Sequence, residues 1–121
     1  MRVLVTGGTG FVGRNLLHLL HEQGHDITLF HRPTSKLIGL PEGIRRVTGD
    51  LTRPESIRGV CGGIDWVFHV AGDVTWGRRL RKRMFANNLE ATRNLLVEAE
   101  QSGVKRFIYT SSAAAVGFPD S

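Results

Sequence analysis

Cysteine is almost absent from this sequence of 121 residues, in which Cys61 is the only one. A single cysteine cannot form a disulfide within the chain, so we expect the protein to work in a reducing compartment. Long apolar runs are also absent, and none approaches the ~20 residues that a membrane-spanning helix needs. The N-terminus does not resemble a signal peptide, because its apolar start, Val3–Val5, is soon followed by glycines. The sequence therefore predicts a soluble, cytoplasmic protein with no membrane partner.

Acidic residues are few relative to basic ones: 11 Asp and Glu stand against 16 Lys and Arg, a formal net charge of +5. This excess permits nucleic acid, an acidic membrane or an anionic small molecule as partner, without choosing among them. Five of the basic residues lie in the run 78–83, but no aromatic ladder or nucleic-acid motif accompanies them. We therefore rank nucleic acid last. Apolar residues make up 40% of the chain, which excludes wholesale disorder and indicates one domain over residues 1–121.

Short apolar runs alternate with helical patterns along the chain. They predict strands at 3–6, 27–31, 44–48, 65–70 and 105–111, and helices at 12–23, 54–60 and 78–101. The long last helix is predicted to pack through an apolar face of Phe85, Leu89, Leu96 and Ala99. Alternation of strands and helices specifies an α/β fold, a parallel sheet with helices on both faces.

A glycine-rich segment, Gly8-x-Gly10-x-x-Gly13, lies between the first strand and the first helix. In this position the pattern indicates a dinucleotide site, because glycines permit the tight turn and the close approach of a pyrophosphate. The pyrophosphate then lies at the helix N-terminus, where free N–H groups favour an anion. The alternative is a glycine-rich turn without a ligand.

The end of the second strand bears on which dinucleotide binds. NAD-binding proteins place an acidic residue there, on the ribose hydroxyl. Here the sequence reads Phe30-His31-Arg32-Pro33, without an acid. Arg32, helped by Ser35 and Lys36, is suited to a 2′-phosphate. We therefore predict NADP as the preferred cofactor, with NAD as the alternative; otherwise Arg32 only solvates a loop.

Five segments resemble the motifs of one family. Val5–Gly13 resembles a TGxxGxxG fingerprint whose spaced glycines are Gly7, Gly10 and Gly13. The other four segments are Gly49-Asp50-Leu51, Phe68-His69-Val70-Ala71-Gly72, Asn88-Leu89-Glu90-Ala91-Thr92 and Tyr109-Thr110-Ser111-Ser112-Ala113. The chain is thus similar to the extended short-chain dehydrogenase/reductases, also called NAD-dependent epimerase/dehydratases. Within that family it most resembles dihydroflavonol-4-reductase-like proteins and hopanoid-associated sugar epimerases.

The resemblance implies a Rossmann-like, doubly wound sheet with strand order 3-2-1-4-5, truncated after the fifth strand. It implies hydride transfer with a small-molecule substrate, a carbinol or a sugar nucleotide, in a parent protein that can be a homodimer. Ser112 takes the position of the catalytic serine, which orients the substrate oxygen. Together with Arg32, which the end of the second strand indicates, the expected cofactor-binding residues are Gly7, Thr9, Gly10, Phe11, Val12, Gly13, Asp50, Leu51, Val70, Ala71, Gly72, Asn88 and Thr110.

One part of the family pattern is missing. The family's general acid/base is the tyrosine of a Tyr-x-x-x-Lys pair, but Tyr109, the only tyrosine, is followed four residues later by Ala113. Without an acid/base within reach of the transferred proton, the chain alone is expected to bind cofactor and not to turn over. We interpret it as the N-terminal part of a longer enzyme. The alternative is a non-catalytic NADP-binding or sensor module.

A literal H-E-x-x-H pattern occurs at His21-Glu22-Gln23-Gly24-His25. As a zinc motif it requires both histidines on one helical face. Gly24 is expected to end the helix between them, so we predict no metal site.

Overall fold

The computed structural model describes residues 1–7, 11–33, 39–71 and 78–111. Within these ranges one sheet contains β1 (Arg2–Thr6), β2 (Asp26–His31), β3 (Arg45–Thr48), β4 (Trp66–Ala71) and β5 (Arg106–Ser111). The α-helices are α1 (Phe11–Glu22) and α2 (Arg78–Gln101), and a 3-10 helix spans Pro54–Ser56. All four strand pairs are parallel and the strand order is β3-β2-β1-β4-β5. The predicted α/β class and Rossmann-like strand order are confirmed.

The core covers both faces of the central strand β1, of which residues 3–6 are buried. Successive side chains of a strand point to opposite faces, so each face receives its own apolar layer. Val3 and Val5 belong to one layer and Leu4 to the other. The helical residues that complete the layers are Leu17 and Leu20 of α1 on the first face, and Leu95 and Ala99 of α2 on the second.

The buried face of α2 differs from the predicted one. Ala99 is buried as expected, but Leu89 and Leu96 are 54% and 45% exposed. The side chain of Phe85 lies outside the described residues. Among the side chains of α2 that the structure describes, the buried ones are Ala91, Leu95, Glu98 and Ala99. At ~100° per residue this stripe is centred about 120° around the helix from Leu89 and Leu96, and the contact with the sheet selects it.

The connection between β3 and β4 also differs from the prediction. Instead of a helix over 54–60, a single 3-10 turn at Pro54–Ser56 is followed by hydrogen-bonded turns. Glu98 of α2 accepts hydrogen bonds from the backbone N–H groups of Gly59 and Cys61, both at 2.9 Å. These amides are therefore satisfied by a side chain and not by helical carbonyls. The turns leave the amino-terminal half of β2 and β3 thinly covered on this face, where Thr28 is half-buried and Arg45 exposed.

Helix α1 ends at Glu22, and Gly24 follows with a φ of +81°. His21 and His25 therefore do not share a helix. In the described part of the chain, no three His, Cys, Asp or Glu side chains are grouped so that they could hold a metal ion. Across the same residues, no helix is both long and apolar enough to cross a membrane.

Candidate functional site

The carboxyl ends of the five strands meet at one edge of the sheet because all strands are parallel. The strands end there at Thr6, His31, Thr48, Ala71 and Ser111. The strands that follow β1 in the chain, β2 and β3, lie on one side of it, whereas β4 and β5 lie on the other. Ligands of open α/β sheets bind at such a switch point, which here lies between β1 and β4. Most of the predicted cofactor residues in the described ranges belong to turns or strand ends at this edge.

Gly7 makes the turn that leaves β1. Its φ is +74°, a conformation that favours glycine, and a β-carbon there would overlap the carbonyl oxygen of Val70 in β4. Only glycine therefore lets the end of β1 lie directly against β4. The structure thus brings together Gly7 and Val70, two residues that the sequence assigned to the cofactor site from separate motifs.

Helix α1 begins at Phe11, close after this turn. Gly13 is buried, Val12 is 38% exposed, and the first turn of the helix carries no acidic residue. Free N–H groups at a helix start, without a nearby carboxylate, suit a negatively charged group. The local chemistry therefore fits the pyrophosphate of a dinucleotide.

His69 of β4 joins three elements beneath this turn. It is 3% exposed; its Nδ1 hydrogen-bonds the Thr6 hydroxyl, and its Nε2 lies 2.9 Å from the Thr92 Oγ1 of α2. Burial lowers the pKa of His69 to about 4, so the ring is neutral at pH 7. A neutral imidazole has one donor and one acceptor nitrogen, so the ring donates to one threonine and accepts from the other. The bridge ties the last residue before Gly7 to both β4 and α2.

The sequence analysis places His69 only within the Phe68–Gly72 motif and does not identify its hydroxyl partners, Thr6 and Thr92. Thr92 belongs to the Asn88–Thr92 motif, but nothing in that motif points to a histidine 23 residues away. Asn88 itself is half-buried on α2, one helical turn before Thr92. Because α2 starts beyond the carboxyl end of β4 and returns to the start of β5, Asn88 lies nearer the site edge than Thr92.

Arg32 and Asp50 follow the ends of the adjacent strands β2 and β3. Arg32 is exposed, and its carbonyl oxygen accepts a 2.8 Å hydrogen bond from His31 Nδ1. Asp50 Oδ1 accepts from the Thr52 hydroxyl at 2.7 Å and from the Thr52 N–H at 2.9 Å. These hydrogen bonds, aided by the positive charges of Arg32 and Arg53, hold the pKa of Asp50 below its ordinary value of 3.8. Asp50 is therefore an anion with two arginines in electrostatic reach.

Leu51 contacts both the core and helix α2. Its side chain is half-buried against the core, and its carbonyl oxygen accepts a 2.8 Å hydrogen bond from Asn94 Nδ2 of α2. Asn94 is a further residue that the sequence does not single out, because it lies 43 residues from its partner and outside every recognised motif. The turn at residues 50–52 is thus braced both by Thr52 and by α2.

Glu98 and Cys61 form a second buried polar contact on the same face. Burial opposes ionisation of Glu98, but hydrogen bonds from Gly59, Cys61 and Ser102 together hold its pKa below the ordinary value. Burial raises the pKa of the Cys61 thiol to about 12, and the negative charge of Glu98 contributes. The thiol is therefore protonated at neutral pH and is not a nucleophile.

Seven predicted site residues lie wholly or in part outside the described residues. Thr9, Gly10, Gly72 and Ser112 lie outside the described residues. Phe11, Ala71 and Thr110 lie in α1, β4 and β5, but their side chains are outside the described part. The predicted cofactor-binding residues whose side chains or turns the structure describes are therefore Gly7, Val12, Gly13, Arg32, Asp50, Leu51, Val70 and Asn88.

Residues 3–121 match the family described as the NAD dependent epimerase/dehydratase family. The chain belongs to this family. The resemblance drawn from the five motifs is thereby confirmed, together with the interpretation of the fold as a Rossmann-type, nucleotide-binding arrangement.

Two of the similar proteins are hydroxysteroid dehydrogenases with longer chains. A 3-beta-hydroxysteroid dehydrogenase of Mycolicibacterium neoaurum is 43% identical over 121 residues, which cover 95% of this chain and 33% of the relative. A 3 beta-hydroxysteroid dehydrogenase/Delta 5→4-isomerase of Mycobacterium tuberculosis is 40% identical, covering 95% of this chain and 32% of the relative. The chain thus spans about a third of the length of these curated relatives.

One solved structure with a similar fold contains NAD. The crystal structure of a short-chain dehydrogenase/reductase superfamily protein from Agrobacterium tumefaciens, with bound NAD, superposes with a TM-score of 0.72 at 34% identity. The match covers 90% of this chain and 32% of that protein.

Proposed function

We propose that this chain is the dinucleotide-binding part of an NADP-dependent oxidoreductase that transfers hydride to or from a secondary carbinol carbon. The observation that carries the proposal is the glycine turn after β1, which packs on Val70 and leads into a helix start without acidic residues. The hydroxysteroid dehydrogenase names of two relatives support a carbinol substrate over a sugar nucleotide. They also support an enzyme over a non-catalytic module.

In this proposal the turn at Gly7 and the first turn of α1 hold the pyrophosphate, and Leu51 and Asp50 border the adenine. The bound dinucleotide supplies the hydride donor or acceptor. Ser112 orients the substrate oxygen. The chain spans about a third of the length of its relatives, so the general acid/base and the remaining substrate-binding residues would belong to the rest of the parent protein.

His69 keeps the cofactor turn in place without contacting the cofactor. Its two threonine bonds connect β1, β4 and α2 directly below Gly7, and its neutral form puts no competing charge there. We therefore assign it a positioning role.

The preference for NADP rests on Arg32. Its guanidinium is exposed at the end of β2, and no hydrogen bond or ion pair within the described ranges occupies it. The nearby Asp50 carboxylate is engaged by Thr52, and Arg53 adds a second positive charge beside it. A 2′-phosphate at this edge would therefore meet more positive than negative charge.

The test is a calorimetric titration of the full-length protein with NADP and with NAD. Wild type should bind NADP more tightly, and Arg32→Ala should remove the difference, roughly 10- to 100-fold for a lost charged hydrogen bond. Arg46→Ala is the matched control, because Arg46 is an exposed arginine on β3 and should leave the preference intact. Equal affinities of wild type for both cofactors would refute the assignment of Arg32.

A further inference from the structure

A cavity of about 370 Å³ opens at the edge of the sheet opposite the cofactor site. It lies between the amino-terminal ends of β2 and β3 and the turns that lead from the 3-10 helix to β4. On this side of the cavity, the connection between β3 and β4 forms a 3-10 turn and hydrogen-bonded turns, without an α-helix. Its lining includes no residue of the predicted cofactor site.

The cavity has an apolar wall and a polar floor. Val47, Val60 and Ile64 supply the apolar surface. Thr28 and Arg45 are register partners on β2 and β3, so their side chains stand side by side on the face that bears the cavity. A ligand would therefore meet aliphatic surface and hydrogen-bond donors at the same time.

The charges around the cavity are unbalanced. Among the described residues, Arg2, Arg45 and Arg58 line it, and Asp26 is the one carboxylate. Arg2 Nε and Arg45 Nη2 each lie 3.7 Å from Asp26 Oδ2, so two guanidinium groups share one carboxylate. Arg58 is exposed, and among the described residues no hydrogen bond or ion pair holds its guanidinium. The lining thus carries two positive charges in excess.

We propose that this cavity binds a small phosphomonoester with an apolar body. A dianionic phosphate matches the two excess positive charges. Each guanidinium group can also donate two parallel hydrogen bonds to the oxygens of one phosphate. The volume lies at the lower end of the usual range for small-molecule sites, about 300–1,000 Å³. It suits one compact ligand and is too small for a second dinucleotide. The apolar body lies against Val47, Val60 and Ile64, while Arg58 and Arg45 hold the phosphate.

The experiment is a calorimetric titration of the full-length protein with phenyl phosphate, in the presence of saturating NADP. Saturation with NADP keeps phosphate groups out of the cofactor site, so failure of the cofactor proposal and failure of this one remain distinguishable. Saturable binding with one site per chain is expected. Inorganic phosphate should bind at least tenfold more weakly, because it leaves the apolar wall unused.

Two variants locate the site. Arg58→Gln should weaken phenyl phosphate binding at least tenfold and leave NADP affinity unchanged. Arg46→Gln is the control: Arg46 is also exposed, but it neighbours Arg45 on β3 and its side chain points to the other face of the sheet, so binding should not change. The proposal is overturned if wild type shows no saturable binding at millimolar phenyl phosphate. It is equally overturned if the two variants weaken binding alike, or if inorganic phosphate binds as tightly as phenyl phosphate.

Discussion

Protonation of His69 should make the folded protein sensitive to mild acid. Burial lowers the pKa of this ring from 6.5 to about 4, whereas the unfolded chain leaves it in water. At pH 5 the unfolded chain therefore binds a proton that the folded chain does not, and acid favours unfolding. The contribution of His69 to stability is complete above pH 6.5 and is lost as the pH falls towards 4.

The size of the effect follows from the two pKa values. Their separation corresponds to roughly 3 kcal/mol when the loss is complete. By pH 5 about 2 kcal/mol of the free energy of unfolding should already be gone. The other lowered pKa values, those of Asp50, Asp65 and Glu98, belong to carboxyl groups with ordinary values of 3.8 to 4.5, so their contributions fall mainly at lower pH. Between pH 5 and 6.5, His69 therefore dominates the pH dependence of the free energy of unfolding among the groups whose pKa is shifted.

The assay is urea unfolding of the full-length protein between pH 5 and 7.5. In His69→Leu the stability at pH 7 falls, because Thr6 and Thr92 lose their partner, but the pH slope between 5 and 6.5 should flatten. His21→Gln, which removes an exposed histidine at the end of α1, is the matched control. A His69→Leu protein with the wild-type slope would refute the reasoning, because some other group would then take up the proton.

Two further substitutions test the packing around the site. Gly7→Ala should cost about 1–3 kcal/mol from its positive φ alone, and more from the overlap with the Val70 carbonyl; Gly43→Ala, with a φ of +82° and open space around it, measures the backbone contribution by itself. Equal losses in thermal unfolding for both variants would show that the overlap is relieved at no cost. Glu98→Gln should lower stability by about 1.5–3 kcal/mol, because an amide cannot accept all three hydrogen bonds that the carboxylate accepts. Chemical denaturation measures this loss, with Glu100→Gln, at an exposed neighbouring residue, as the control. Equal denaturation midpoints for the two variants would contradict the prediction.

Much of the site was predictable because its signals are local. The glycine pattern between an apolar strand and an amphipathic helix indicates a phosphate turn, and Gly7 has the positive φ that such a turn requires. The absence of an acid at the end of β2 is likewise visible in four consecutive residues. The contacts that brace the site were not predictable, because Thr6 and His69 are 63 residues apart and Leu51 and Asn94 are 43 apart. Nothing within either segment marks these partners.

The sequence by itself determined the order of the five strands and the two α-helices, the parallel sheet and the place of the glycine turn. These follow from hydrophobic periodicity and from backbone preferences, which act over a few residues. The tertiary structure alone decided which stripe of α2 meets the sheet, so that Ala91 and Leu95 are buried while Leu89 and Leu96 remain exposed. It also decided that Glu98 satisfies the turn amides of Gly59 and Cys61, and that Arg2, Arg45 and Arg58 surround one cavity. The physical reason is that burial and charge pairing depend on distances in space, which segments far apart in the chain acquire only when they pack together.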